Sequence, residues 1–74
     1  MSKNDTEIGS NVRIWRQKKN LTQAQLAEMI EVSRQTINYI ETGTYTPSTK
    51  LALQLARILE TTVEELFYLK DNGQ

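Results

Sequence analysis

The sequence predicts a compact all-α domain of five helices, and three observations carry that expectation. Apolar residues recur at three- and four-residue spacing, and no stretch alternates in the manner of a strand. Serine, threonine and asparagine, whose side chains suit helix ends, stand at the boundaries between these periodic runs. Two of the runs meet across Glu31-Val32-Ser33, a link too tight for antiparallel packing. They must cross steeply, as the second and third helices of a helix-turn-helix.

The first predicted helix runs from about Thr6 to Lys19, with Ile8, Val12 and Trp15 on one buried face. Asp5 or Thr6 caps it, and Asn20, tolerant of left-handed backbone, stops it. The second opens on Thr22-Gln23-Ala24-Gln25, a capping box in which the Thr22 hydroxyl and the Gln25 side chain satisfy each other's free amides. Leu26, Ala27 and Ile30 form its apolar stripe. The third starts at Ser33, a good N-cap, turns Ile37 and Ile40 inward, and ends at Gly43.

Thr44-Tyr45-Thr46-Pro47 reads as a loop, because the residue before a proline is pushed out of helical geometry. Ser48 caps the fourth helix, whose buried stripe is Leu51, Ala52, Leu55, Ala56 and Leu59. Thr62-Val63-Glu64-Glu65 reads as a second capping box, opening a short fifth helix that holds Leu66 and Phe67. Asp71 to Gln74 are expected to fray. With no repeat or low-complexity segment, residues 1–74 read as one domain with an ordered core of about 6–69.

Composition narrows the function. A core drawn from 74 residues stabilises itself only marginally, so pairing with a second copy would help. The chain has neither cysteine nor histidine, which removes disulfides, thiolate nucleophiles and the usual zinc ligands. No metal and no cofactor are expected. Adjacent Glu64 and Glu65 point apart on a helix and cannot act as an acid–base pair. Without a glycine-rich phosphate loop or converging carboxylates either, no catalytic set is recognisable. No apolar run approaches the roughly 20 residues that span a bilayer. Met1 to Asp5 is polar and unlike a signal peptide, so a cytoplasmic protein with no membrane partner is expected.

Nine basic and nine acidic side chains cancel, whereas nucleic-acid binders are more often plainly basic. Their distribution is uneven. Arg13, Arg16, Lys18 and Lys19 precede the central motif, and Arg34 and Lys50 follow, while Glu60, Glu64, Glu65 and Asp71 collect near the end. A neutral chain can still present a positive face, with a modest long-range field and binding that relies on local contacts.

The stretch from Gln23 to Thr42 carries the chemistry. A steep crossing needs a small residue where the backbones touch, which Ala27 supplies, and apolar side chains that close the wedge: Leu26, Ile30, Val32, Ile37 and Ile40. With those turned inward, the outer face of the third helix carries Arg34, Gln35, Asn38 and Tyr39. Arginine pairs bidentately with guanine, and glutamine or asparagine with adenine, each good pair giving about 1–3 kcal/mol of discrimination. Such a helix, over 33–41, suits the major groove of duplex DNA.

The run L-T-Q-x-x-L-A, a turn, then S-R-Q-T-I-x-x-I-E-x-G resembles the Cro/cI-like (Xre) repressors, small single-domain members above all. The resemblance extends from about Val12 to Phe67, through the loop Tyr45-Thr46-Pro47-Ser48 to the closing V-E-E-L-F. It implies a five-helix transcription regulator of repressor type that binds a pseudo-palindromic operator as a homodimer. By the same resemblance Gln23 binds a phosphate and buttresses the third helix next to Arg34, while Arg34 and Gln35, then Asn38 and Tyr39, read bases. Arg16 and Glu41 form a structural bridge, and Thr44, Tyr45 and Lys50 touch the sugar-phosphate backbone. Thr22 and Ser33, opening the two motif helices, join Gln23 as backbone contacts, since helix N-termini favour anions.

The chain departs from the family at two places. The turn glycine is replaced by Glu31, at a strain of roughly 1–2 kcal/mol if that residue is left-handed. The lysine often found after the motif's glycine is replaced by Thr44.

Trp15 shares a face with Val12 and reads as core; Ile14 falls off that face, either exposed or packed under the N-terminal arm. Lys18 and Lys19 suit a helix C-terminus through its dipole. Phe67, Tyr68 and Leu69 cannot all face one way, so part of the cluster is left for a partner, by preference a second copy. A protein-docking adaptor on the same scaffold is the rival expectation, favoured by the neutral charge and by this cluster.

Overall fold

A computed structural model of the chain describes residues 7–70. In chain order it forms β1 (Ile8–Ser10), α1 (Val12–Lys18), α2 (Gln23–Met29), α3 (Arg34–Thr42), α4 (Thr49–Ile58), α5 (Val63–Leu66) and β2 (Phe67–Leu69). Side-chain caps set most helix starts. Thr22 Oγ1 accepts from the Gln25 amide at 3.0 Å, and Gln25 Oε1 accepts from the Thr22 amide at 2.8 Å, completing the expected capping box. Ser33 and Ser48 accept from Thr36 and Leu51 at 3.0 and 3.2 Å. Thr62 accepts from the Glu65 amide at 3.1 Å, but among the described residues the Glu65 side chain does not reach back. The second expected box is therefore half formed.

The stops are left-handed residues. Asn20, Glu31 and Glu60 have φ of 59°, 61° and 57°, and Gly43 ends α3 at 81°. Glu31 thus carries the αL strain that its place in the turn implied. Exchanging it for glycine relieves about 1–2 kcal/mol of that strain and gives back about 0.5–1 in chain entropy. Glu31→Gly is expected to raise stability by about 0.5–1 kcal/mol, a few degrees in thermal melting followed by circular dichroism. A melting temperature equal to or below that of the parent would remove strain as the explanation.

The all-α expectation needs correction. Residues 8–10 are strand rather than the first turns of a helix, and they pair antiparallel with 67–69, Ile8 opposite Leu69, Gly9 opposite Tyr68 and Ser10 opposite Phe67. The first helix therefore begins at Val12, and the expected caps Asp5 and Thr6 lie outside the described residues, as do the ends expected to fray. Asn11 ties this start to the end of α5, its amide donating to the Leu66 carbonyl at 2.8 Å and its side chain to that of Glu65 at 3.1 Å. Phe67 leaves α5 with extended backbone, φ −133° and ψ 146°, and belongs to β2. Gly9 is buried beneath Tyr68, and a Cβ there would overlap the ring. An aromatic ring thus covers the backbone of a strand glycine.

Val12, Leu26, Ile37, Ile40, Leu55, Leu59 and Leu66 are wholly buried in one cluster, with Trp15, Val32, Leu51 and Phe67 packed against it. Trp15 joins the core as expected, the Lys18 ammonium lying 4.4 Å from its ring centre, while Ile14 is exposed. Lys19 bridges Glu60, and this hydrogen bond holds the exposed carboxyl below its usual range. No helix among the described residues is long and apolar enough to cross a membrane, and no group of acidic side chains there could hold a metal ion.

Candidate nucleic-acid interface

Ala27 is buried at the α2–α3 crossing, and its carbonyl accepts from the Val32 amide at 3.0 Å, closing the turn. Left-handed Glu31 reverses the chain, Ser33 caps α3, and Ile37 and Ile40 fill the wedge. The opposite face of α3 is thereby turned to solvent, and Arg34, Gln35, Asn38 and Tyr39 are all exposed. Gln35 Nε2 donates to Tyr39 Oη at 3.0 Å, one turn away, so these two form a joined pair.

Beneath this face lies a network centred on the Glu41 carboxylate. Arg16 donates from Nε at 2.5 Å and from Nη2 at 3.3 Å, and both side chains are nearly buried. Its Nη1 donates to the Leu21 carbonyl at 2.7 Å. The guanidinium thus joins α1, the link before α2, and α3, with the fork geometry that makes arginine–carboxylate pairs specific. The expected bridge is present.

Gln23 completes the network differently from expectation. Its Nε2 donates to Glu41 Oε1 at 3.0 Å and to Asn38 Oδ1 at 3.2 Å. It buttresses α3 through those residues, and among the described residues it makes no hydrogen bond to Arg34. Both amide hydrogens are occupied, so its side chain has no donor left over for a phosphate. The spacing of Gln23 and Asn38 in the sequence held no sign of this bond.

The expected backbone contacts surround α3. Thr22 and Ser33 are exposed, their hydroxyls acting as caps. The amides of Thr44 and Tyr45 both donate to the Tyr39 carbonyl, at 2.9 and 3.2 Å, so the loop is folded back on the end of α3. Lys50 stands exposed in the first turn of α4. Alongside, an open polar depression of about 710 Å³ lies between α1 and the start of α3, with Arg13 and Arg34 both on its wall.

The C-terminal cluster divides between two faces, because successive strand residues point oppositely. Tyr68 covers Gly9. Phe67 is half-buried and lines an apolar depression of about 380 Å³ with Ile8, Pro47, Leu53 and Val63. Leu69 is 68% exposed.

Residues 12–66 match the model of a family described as helix-turn-helix. An uncharacterised HTH-type transcriptional regulator of Archaeoglobus fulgidus is 39% identical over 62 residues, 84% of this chain and 89% of that protein. One of Methanocaldococcus jannaschii is 41% identical, covering 85% of this chain and 96% of the relative. One of Bacillus subtilis is 34% identical, covering 86% and 97%. The fold is also that of a Bacteroides fragilis protein, assigned provisionally to DNA binding, whose crystal structure matches with a TM-score of 0.75 at 21% identity. That match spans 82% of this chain and 98% of the other.

Proposed function

The chain belongs to the Cro/cI-like (Xre) helix-turn-helix family of DNA-binding transcription regulators, a non-enzymatic class, and on that premise we propose that it is a repressor acting in the cytoplasm. The helix-turn-helix domain binds a pseudo-palindromic operator as a homodimer. One α3 enters each of two successive major grooves, about 34 Å apart. The observation that carries this is the exposed face of α3, where Arg34, Gln35, Asn38 and Tyr39 are presented by a helix held from below by Arg16, Glu41 and Gln23. These four read bases; Thr22, Gln23, Ser33, Thr44, Tyr45 and Lys50 meet the sugar-phosphate backbone, Gln23 through its backbone amide. Repression follows from occupancy of the site.

The apolar depression around Phe67, with exposed Leu69 on the same face of β2, supports pairing of two copies there. Selection from a randomised duplex pool at physiological salt tests the whole proposal. An enriched inverted repeat is expected, and it reports specific binding, dimeric readout and half-site spacing together. An unenriched pool with folded protein transfers the function to a protein partner on that depression, a reading favoured by the zero net charge.

Lys50→Ala is expected to weaken all duplexes alike and to lower the slope of log K against log salt by about 0.9 per protomer. Titration of operator and unrelated duplexes at several salt concentrations checks it. An unchanged slope would take Lys50 out of the interface.

A further inference from the structure

The wall of the polar depression between α1 and the start of α3 carries three arginines and no carboxylate. One of the three is spent, since Arg16 gives its donors to Glu41 and to the Leu21 carbonyl. Gln23, on the same wall, has both amide hydrogens engaged by Asn38 and Glu41. Arg34 stands at the open start of α3 and is the residue best placed to enter the groove. Arg13 remains. It is exposed, and it has no hydrogen-bond or ion-pair partner among the described residues.

An arginine on a solvated helix face is ordinarily there for solubility. This one opens onto a concavity it shares with Arg34, and two uncompensated cations on one concave wall focus a positive field. The guanidinium fork also matches the geometry of a phosphate. Beside a helix that enters the major groove stands the groove's wall, which is sugar-phosphate backbone, and contacts to it fix position rather than sequence.

We propose that this depression seats one DNA backbone phosphate, with Arg13 as its cationic ligand, so that α1 joins the interface beside α2 and α3. The proposal rests on the DNA-binding function above and adds to it a contact from α1. Arg13 is exposed and makes no hydrogen bond or ion pair among the described residues, so its variants are expected to fold and melt like the parent.

The test is titration of the intact protein, Arg13→Ala and Arg13→Lys against the selected operator duplex and its single-base variants, from about 50 to 200 mM salt. Arg13→Ala is expected to reduce the salt slope by about 0.9 per bound protomer, so that its affinity deficit narrows by about 3–4-fold per protomer across that range. Its ranking of the single-base variants should match that of the parent, and Arg13→Lys should keep the parent slope. A parent-like slope for Arg13→Ala overturns the proposal while leaving DNA binding intact. A changed ranking of base variants overturns it too, making Arg13 a base reader. Failure of the parent itself to bind any duplex overturns both the proposal and the function beneath it.

Discussion

Arg16→Met is expected to cost about 3–5 kcal/mol of folding stability, the largest loss from any single exchange considered for this chain. The guanidinium and the Glu41 carboxylate are both nearly buried, and removing one strands the other. Among the described residues Glu41 would keep only the Gln23 amide as a donor, and the Leu21 carbonyl would lose Arg16. Small domains hold about 5–15 kcal/mol in total, so the variant loses a large part of its stability and melts at least about 10 °C lower. Exchanging both partners for apolar residues, Arg16→Met with Glu41→Leu, should recover most of the loss, since two apolar groups leave no buried charge. Denaturant titration of the parent, both single variants and the double variant completes a cycle that isolates the pair. A single variant within about 0.5 kcal/mol of the parent would show the bridge to be incidental.

The second large effect concerns recognition. Arg34→Ala should remove the preference at one base pair in each half-site, about 1–3 kcal/mol, or roughly 5- to 150-fold between the preferred base and its rivals. Affinity for duplexes already mismatched there should change far less. The structure favours this assignment, because Arg34 is exposed in the first turn of α3 and has no carboxylate partner among the described residues. Competition between the selected operator and its single-base variants is the measurement. Equal loss on every sequence would make Arg34 a phosphate contact instead, and would move base reading to Gln35 and Asn38. Arg34 and Arg13 share a depression, so the same competition separates the two kinds of arginine.

Arg16 and Arg34 show which parts of the candidate interface the sequence makes legible. The inward positions Ile37 and Ile40 leave only one outer face for α3, so the candidate base readers follow from periodicity alone. Arg16–Glu41 came from the family resemblance, not from spacing, and the structure bears it out at 2.5 Å. The double use of Gln23 was illegible. A glutamine amide has donors to spare in any sequence, and only the convergence of α2 and α3 commits both.

What the sequence determined by itself is local. The caps at Thr22, Ser33, Ser48 and Thr62, and the left-handed stops at Asn20, Glu31 and Gly43, join a side chain or a φ angle to backbone a few residues away. No distant partner is needed for them, so the residue types are enough. What only the tertiary structure decided joins the two ends of the domain. Three-residue strands are too short to show an alternation, and an isolated two-stranded pair is marginal in water. Ile8–Ser10 and Phe67–Leu69 therefore owe their pairing to the packing of α1 and α5 on the common core, which brings them together and meets the loop-closure entropy.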